Sequence, residues 1–347
     1  MTGPPINCEV FVKLQPAPER RHRLLLPCLW VLMLAAAALS ITLGPVSLGP
    51  SRMMSVLLGD GDRITHAIIV DLRLPRMLTG LLVGAMLGLA GAVLQGYLRN
   101  PLAEPSVLGA SNAAALGAVI AIYFGFAELH TAVLPAMAIL AGLAALALLF
   151  TLSGRAESPL ILILAGIAVS TLAGAGISLA LNLAPNPFAA MEIMTWLLGS
   201  VENRTMNHLW IVLPCVLIGA GLLAGSGHAL DALSLGEDGA QSLGIDLARL
   251  RLWILCGVAI GVGGAVAVSG AIGFVGLIVP HLIRPFTDRS PSAILLPSML
   301  AGAVLLTLAD VAVRLIPTQS ELKLGVVTAF LGVPVFLVHL MRERRLW

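Results

Sequence analysis

Side chains able to do chemistry are scarce in this sequence, because only 11% of its 347 residues are charged. The densest polar run is Ser234-Leu-Gly-Glu-Asp-Gly-Ala-Gln-Ser-Leu-Gly244. It reads as a short capped helix: Ser234 accepts from the backbone three residues on, Glu237 reaches back to complete a capping box, and Gly244 is the left-handed stop. A helix this short is marginal alone and has to rest against a surface. The plainer alternative is a solvated connecting turn. In Arg99-Asn-Pro-Leu-Ala-Glu-Pro105 two prolines four apart predict a stiff, extended link, with Asn100 and Glu104 bonding to the helix ends it joins. The stretch Gly270-Ala-Ile-Gly-Phe-Val-Gly-Leu-Ile-Val-Pro-His-Leu-Ile-Arg284 does similar work later, with His281 and Arg284 one turn apart. A lone histidine there is more often a structural hydrogen-bond partner than a metal ligand.

Ionisable groups inside a membrane are costly and usually functional. Asp310 is the strong candidate, and Arg314 four residues on pairs with it on one helix face. That pairing argues against a proton relay. Gly59-Asp-Gly-Asp62 matches the GxGD string of intramembrane aspartyl proteases, but it sits in a polar segment without a second intramembrane aspartate. There is no HExxH, and the two lysines, Lys13 and Lys323, stand outside any GxxxxGK[ST] phosphate loop. If ATP drives this protein, another subunit supplies it. Cys8, Cys28, Cys215 and Cys256 are widely separated and read as neither a disulfide framework nor a metal site.

These polar segments are positioned by a chain that is 58% hydrophobic, with mean hydropathy +0.98. Most of its side chains therefore have hydrocarbon as solvent. A net charge of +2, with no long basic run, argues against nucleic acid as partner. Divided at charges, prolines and polar clusters, residues 24–341 form one all-α domain of ten spans, at 24–43, 77–98, 112–126, 132–152, 159–183, 208–225, 252–268, 274–283, 294–315 and 324–341. Residues 1–23 and 342–347 are tails. The uncharged stretches 158–191 and 252–283 are too long for one crossing, so each breaks: the first at Asn182, Pro185 and Pro187, the second at Ser269, Gly270 and Gly273. Irregular backbone at membrane depth lines cavities, which makes both breaks candidates for a transport path. Gly80, Gly84 and Gly88, and again Gly257 and Gly261, mark close helix packing. Gly84, Gly91, Ala92 and Pro101 match Gly263, Gly270, Ala271 and Pro280 at an offset of 179 residues, a weak hint of an internal repeat.

With both ends inside, inner segments hold 13 basic residues and outer segments seven, an excess in the direction of the positive-inside rule. Four of the seven, Arg52, Arg63, Arg73 and Arg76, crowd one outer loop and need a separate reason. The basic Arg20 to Arg23 before an apolar run also fits a cleavable signal, with Ala35 to Ala38 as small residues. The run is long enough to span, which favours a first helix.

Taken together, Arg73-Leu-Pro-Arg76, Gly91-Ala-Val-Leu-Gln95, Asn100-Pro-Leu-Ala-Glu-Pro105, Gly270-Ala-Ile-Gly-Phe-Val-Gly276, Pro280-His281 and Gly325-Val-Val-Thr-Ala329 resemble the permeases of ABC importers for iron chelates, haem and cobalamin. The resemblance runs from about Arg73 to Leu340. It implies a type II importer fold and a multi-pass protein of the inner membrane with cytoplasmic termini. It also implies a homodimer that works with two cytoplasmic ATPases and a periplasmic binding protein. No cofactor is expected on this chain; ATP and magnesium belong to the ATPase. Ser234, Leu235, Gly236, Glu237, Ala240, Leu243 and Gly244 become the coupling helix, with Ala240 keeping contact with the ATPase close. Arg73, Arg76 and Arg314 become an outer rim for carboxylates of the binding protein. Asn100, Pro101, Glu104, Pro105, Gly270, Gly273, Phe274, Pro280 and His281 become pathway or gate. Thr195, Trp196 and Asn203 are placed near the cargo by position alone. Three functions are weighed: an iron-siderophore permease first, the same machine carrying cobalamin or haem second, and an ATP-independent secondary transporter a distant third.

Overall fold

A backbone surrounded by hydrocarbon has to satisfy its own hydrogen bonds, and this chain does so with helices. The computed structural model describes residues 19–44, 46, 49, 55–56, 62–106, 108–153, 159–318 and 321–343. Residues 1–18, Arg52, Gly59 to Gly61 and residues 344–347 lie outside them, and with them most of the expected tails. Helix α1, Glu19–Thr42, already begins within the expected N-terminal tail.

The other elements are α2 (Leu74–Tyr97), α3 (Ala110–Tyr123), α4 (Val133–Ser153), α5 (Pro159–Asn182), α6 (Pro187–Leu197) and α7 (Met206–Ala224). After these come α8 (Gly227–Leu233), α9 (Glu237–Ser242), α10 (Leu247–Ser269), α11 (Val275–Ile283), α12 (Pro291–Leu315) and α13 (Leu324–Glu343). Each of the ten expected spans falls on a helix. Among the described residues seven stretches are long and apolar enough to cross unaided, while α3, α11 and the apolar part of α13 are shorter. The outer loop expected before α2 is largely helical from Arg63: one α turn, then a π-helical run Ala67–Arg73, leads straight into α2. Arg73 and Arg76 thus sit on a helix rather than a loop.

Both expected breaks are present. Helix α5 stops at Asn182 and α6 starts at Pro187, where the Asn186 side chain accepts from the Ala189 amide at 2.9 Å. Helix α10 stops at Ser269 because Gly270 turns left-handed, φ +70°, and α11 starts at Val275. The link at residues 99–105 is a tight turn rather than an extended strut. Arg99 is left-handed, the Asn100 carbonyl accepts from the Ala103 amide at 3.1 Å, and Asn100 Oδ1 accepts from the Leu102 amide at 2.9 Å. The local Asn100 bonds outcompete the extended preference of the residue before proline.

Helix α2 is the centre of the bundle, packed by α7, α10, α11 and α12. Glycine makes this closeness possible. A Cβ on Gly84 or Gly88 would overlap the carbonyls of Gly302 or Ser298 on α12, and one on Gly91 would overlap the Gly276 carbonyl on α11. Gly80 is looser, 3.6 Å from the Thr307 hydroxyl. Gly257 and Gly261 face Gly219 of α7. The 179-residue offset does not carry equal roles: Gly84 is wedged against a neighbouring helix, whereas Gly263 meets open space.

Candidate functional site

Three interruptions meet at one point. The turn after α6, the break between α10 and α11, and the start of α13 are bound by backbone bonds: Ser200 donates to the Ser269 carbonyl at 2.7 Å, and Gly325 donates to the Leu198 carbonyl at 3.1 Å. Side chains are excluded from this knot. A Cβ on Gly270 would overlap the Trp196 carbonyl, one on Gly325 the Leu198 carbonyl, and one on Gly199 would come within 2.5 Å of the Ala271 carbonyl. Gly273 has open space around it. Of the two candidate path breaks, the one at 269–273 enters this knot, whereas the one at 182–187 lies at the opposite end of α6.

Beside the knot lies a cleft of about 360 Å3 whose walls include Thr195, Trp196, Asn203, Arg204, Ser269 and Lys323. All three residues expected near the cargo line it. Lys323 pairs with Glu202 at 2.6 Å, and Asn203 is held left-handed at φ +56°. Burial pushes the Arg204 guanidinium below its ordinary value, opposed by the charge of Glu202. The sequence offered no signal for Arg204: it is one arginine in a short turn, and only the fold aims it at the cleft.

Glu104 supports the same break from the other side. Its Oε2 accepts from the Phe274 amide at 3.3 Å, at the start of α11, and its Oε1 accepts from the Ser106 hydroxyl. Phe274 is itself left-handed, φ +67°, so the α11 amide it exposes is capped by a side chain 170 residues away. Pro105 packs there too, within 3.2 Å of where a Gly276 Cβ would sit.

A second concavity, about 680 Å3, gathers Asn100, Pro101, Ser234, Pro285, His281 and Arg284 where α2, α11 and α12 converge. Pro280 is buried within α11 next to His281. Gln95, buried, donates to the Gly276 and Leu277 carbonyls at 3.3 and 3.2 Å and accepts from Arg284 at 3.0 Å.

The segment 234–244 is helical, but its capping box does not form. The Ser234 hydroxyl donates back to the Asp231 carbonyl at 2.6 Å, closing α8, and Gly236 at φ +99° occupies the cap position of α9. Glu237 instead pairs with Arg99 at 3.4 Å. Gly244 is the left-handed stop expected, φ +84°. Ala240 is fully buried within this chain and so is not offered to a partner; Leu235 and Leu243 are the exposed apolar side chains.

The three outer arginines do not form an open rim. Arg73 is buried and donates to the Ile41, Thr42 and Val46 carbonyls at the end of α1. Arg314, also buried, donates to the Ser40 and Leu43 carbonyls and, at 2.7 Å, to the Ser40 hydroxyl. It pairs with Asp310 at 3.1 Å, as its spacing predicts. Arg76 bridges Asp310 at 2.8 Å and Glu321 at 2.7 Å. The physical reason is the orphaned carbonyls at the C-terminus of α1, which attract cations. The crowding of arginine before α2 thus has an internal explanation for Arg73 and Arg76; Arg63 heads the helical lead-in.

Residues 32–342 match the model of the FecCD transport family. The chain is 37% identical over 334 residues to the vitamin B12 import system permease protein BtuC of Vibrio vulnificus (strain CMCP6), covering 94% of this chain and 96% of that one. It is 36% identical over 329 residues to the Fe(3+)-citrate import system permease protein YfmE of Bacillus subtilis (strain 168), covering 94% and 97%. A solved structure of a transporter assigned to the metal-chelate ABC type, in an inward-facing conformation, aligns with a TM-score of 0.83 at 34% identity, over 92% of this chain and 99% of that one.

Proposed function

The chain belongs to the FecCD transport family of ABC importer permeases, and from that premise we propose that it carries an iron-siderophore chelate inward across the inner membrane. The observation that carries the reading is the knot of three chain breaks at Gly199, Gly270 and Gly325 beside a largely apolar cleft with Arg204 and Asn203 in its walls, in a chain of this family. Non-helical backbone at membrane depth is tolerated where it lines a path. The cleft offers Arg204 and Asn203 as donors suited to the oxygen-rich shell of a ferric chelate, beside Glu192 and the Lys323–Glu202 pair in the same walls. The Fe(3+)-citrate relative supports an iron cargo. Cobalamin is the second reading, favoured by the vitamin B12 relative, and haem is the third cargo.

In this reading two copies pair around a central path, with both termini cytoplasmic. A periplasmic binding protein delivers cargo to the outer face, and ATP and magnesium act in two separate ATPase subunits. The segment 234–244 docks on the ATPase through Leu235 and Leu243, the side chains it exposes. A carboxylate of the binding protein reaches Arg76 by exchanging with Glu321, the more exposed of its two partners. The test is uptake by right-side-out vesicles holding the whole importer and loaded with ATP, offered labelled ferric hydroxamate, ferric citrate, haem and cobalamin in turn. ATP-dependent uptake of a ferric chelate with no uptake of cobalamin is the expected result. Uptake of cobalamin alone replaces the cargo, and uptake without ATP overturns the proposal.

A further inference from the structure

The crevice of about 680 Å3 between the ends of α2 and α11 and the start of α12 is not used by the reading above. Its charged lining is Arg99, Arg284 and Arg289, with His281 beside them, and among the described residues no Asp or Glu lines it. Carboxylates stand around it: Glu237 reaches Arg99 at 3.4 Å, Asp231 accepts from the Ser292 amide at 2.9 Å, and Asp288 accepts from the Ser290 amide at 3.0 Å.

Two features mark this lining, one of backbone and one of side chain. Arg99 and Arg289 have φ of +48° and +67°, two of the four non-glycine residues with positive φ among the described residues. Such backbone costs about 1–3 kcal/mol at each residue and persists only where the surroundings impose it. Arg284 is oriented by Gln95, whose amide is locked by two α11 carbonyls. Gln95 is neutral, and its bond fixes the direction of the fork. The deeper wall, Ala92 and Ile294, is apolar.

We propose that this crevice binds a phosphate group, carried either by an anionic phospholipid headgroup or by a free phosphate compound. Guanidinium forks match phosphate oxygens in geometry as well as charge. Basic pockets between spanning helices at the cytoplasmic side suit anionic headgroups, and the apolar wall gives a lipid's glycerol end a place to rest. A phosphate on Arg99 competes with Glu237, so occupancy releases Glu237 from its partner. The cytoplasmic placement of the crevice and this last consequence rest on the orientation and the docking role proposed above.

The experiment uses the full chain in mixed micelles of phosphatidylcholine and phosphatidylglycerol, with bound lipid counted by native mass spectrometry and inorganic phosphate titrated as competitor. Phosphatidylglycerol is expected to be retained over phosphatidylcholine, with retention falling about fivefold for each guanidinium lost. Arg289 is exposed, so Arg289→Gln reads the effect without risk to the core. Arg284→Gln together with Arg289→Gln deepens the loss, and Arg289→Lys restores most of it. Phosphatidylglycerol retention that inorganic phosphate does not displace identifies the lipid; direct binding of inorganic phosphate that the glutamine variants lose identifies the soluble source. Equal retention by parent and Arg289→Gln overturns the proposal. So does the absence of binding by either probe with weaker ATPase docking in the variants, which makes the crevice a protein contact.

Discussion

At the scale of single residues, the deciding side chains are those whose partners lie far away in sequence. Asp310 accepts from both Arg76 and Arg314 and is almost completely buried. Removing one member of a buried ion network leaves the others uncompensated, which costs about 3–5 kcal/mol. Asp310→Ala is therefore expected to lower the thermal midpoint of the purified protein sharply, whereas Arg63→Ala, on the helical lead-in, leaves it nearly unchanged. Equal midpoints would remove the network from the account. Glu104 makes a different kind of bond, a carboxylate on a backbone amide at a helix start. Glu104→Ala leaves the Phe274 amide without this partner, at a cost of about 1–3 kcal/mol, and uptake by vesicles should fall while Glu104→Gln keeps most of it. Asp310 with Arg314 was readable from spacing alone. Arg76 with Asp310, and Glu104 with Phe274, were not, because no local pattern encodes partners 234 and 170 residues apart.

At the scale of helices, glycine decides how close two axes come. Gly91 of α2 touches Gly276 of α11 with no room for a methyl group. Gly91→Ala must push the pair apart, and overpacking of this kind costs about 1–3 kcal/mol or more. Folded yield from membranes is expected to drop, whereas Gly221→Ala, which meets nothing within 4 Å, leaves it intact. A normal yield for Gly91→Ala would mean that α11 slides freely. The helices themselves were legible because apolar runs bounded by Pro, Gly and charge are strong signals. Helices α6 and α8 were not separated out, being short pieces inside a polar or broken stretch. The π-helical run before α2 was also hidden, since an i to i+5 bond leaves no mark on composition.

For the molecule as a whole, function depends on two faces meeting separate partners. Leu235 and Leu243 project from 234–244 while Ala240 is fully buried in its own chain. Changing Leu235 and Leu243 together to Asp is expected to abolish pulldown of the ATPase and ATP-driven uptake without lowering the thermal midpoint. Glu237→Arg, which also breaks a half-exposed pair of little energetic weight, is expected to reduce uptake more than stability. The sequence by itself determined a membrane-spanning, all-helical permease with breaks at 182–187 and 269–273, because hydropathy and helix breakers act over short windows and do not depend on distant contacts. Its motifs also pointed to the right family. It took the packed bundle to show that the break at 269–273, the turn after α6 and the start of α13 form one knot, that Arg73 and Arg314 clamp the end of α1 instead of facing outward, and that Arg99, Arg284 and Arg289 share one crevice. Each of these depends on where helices cross and which carbonyls are left without partners, and those are properties of the packed bundle.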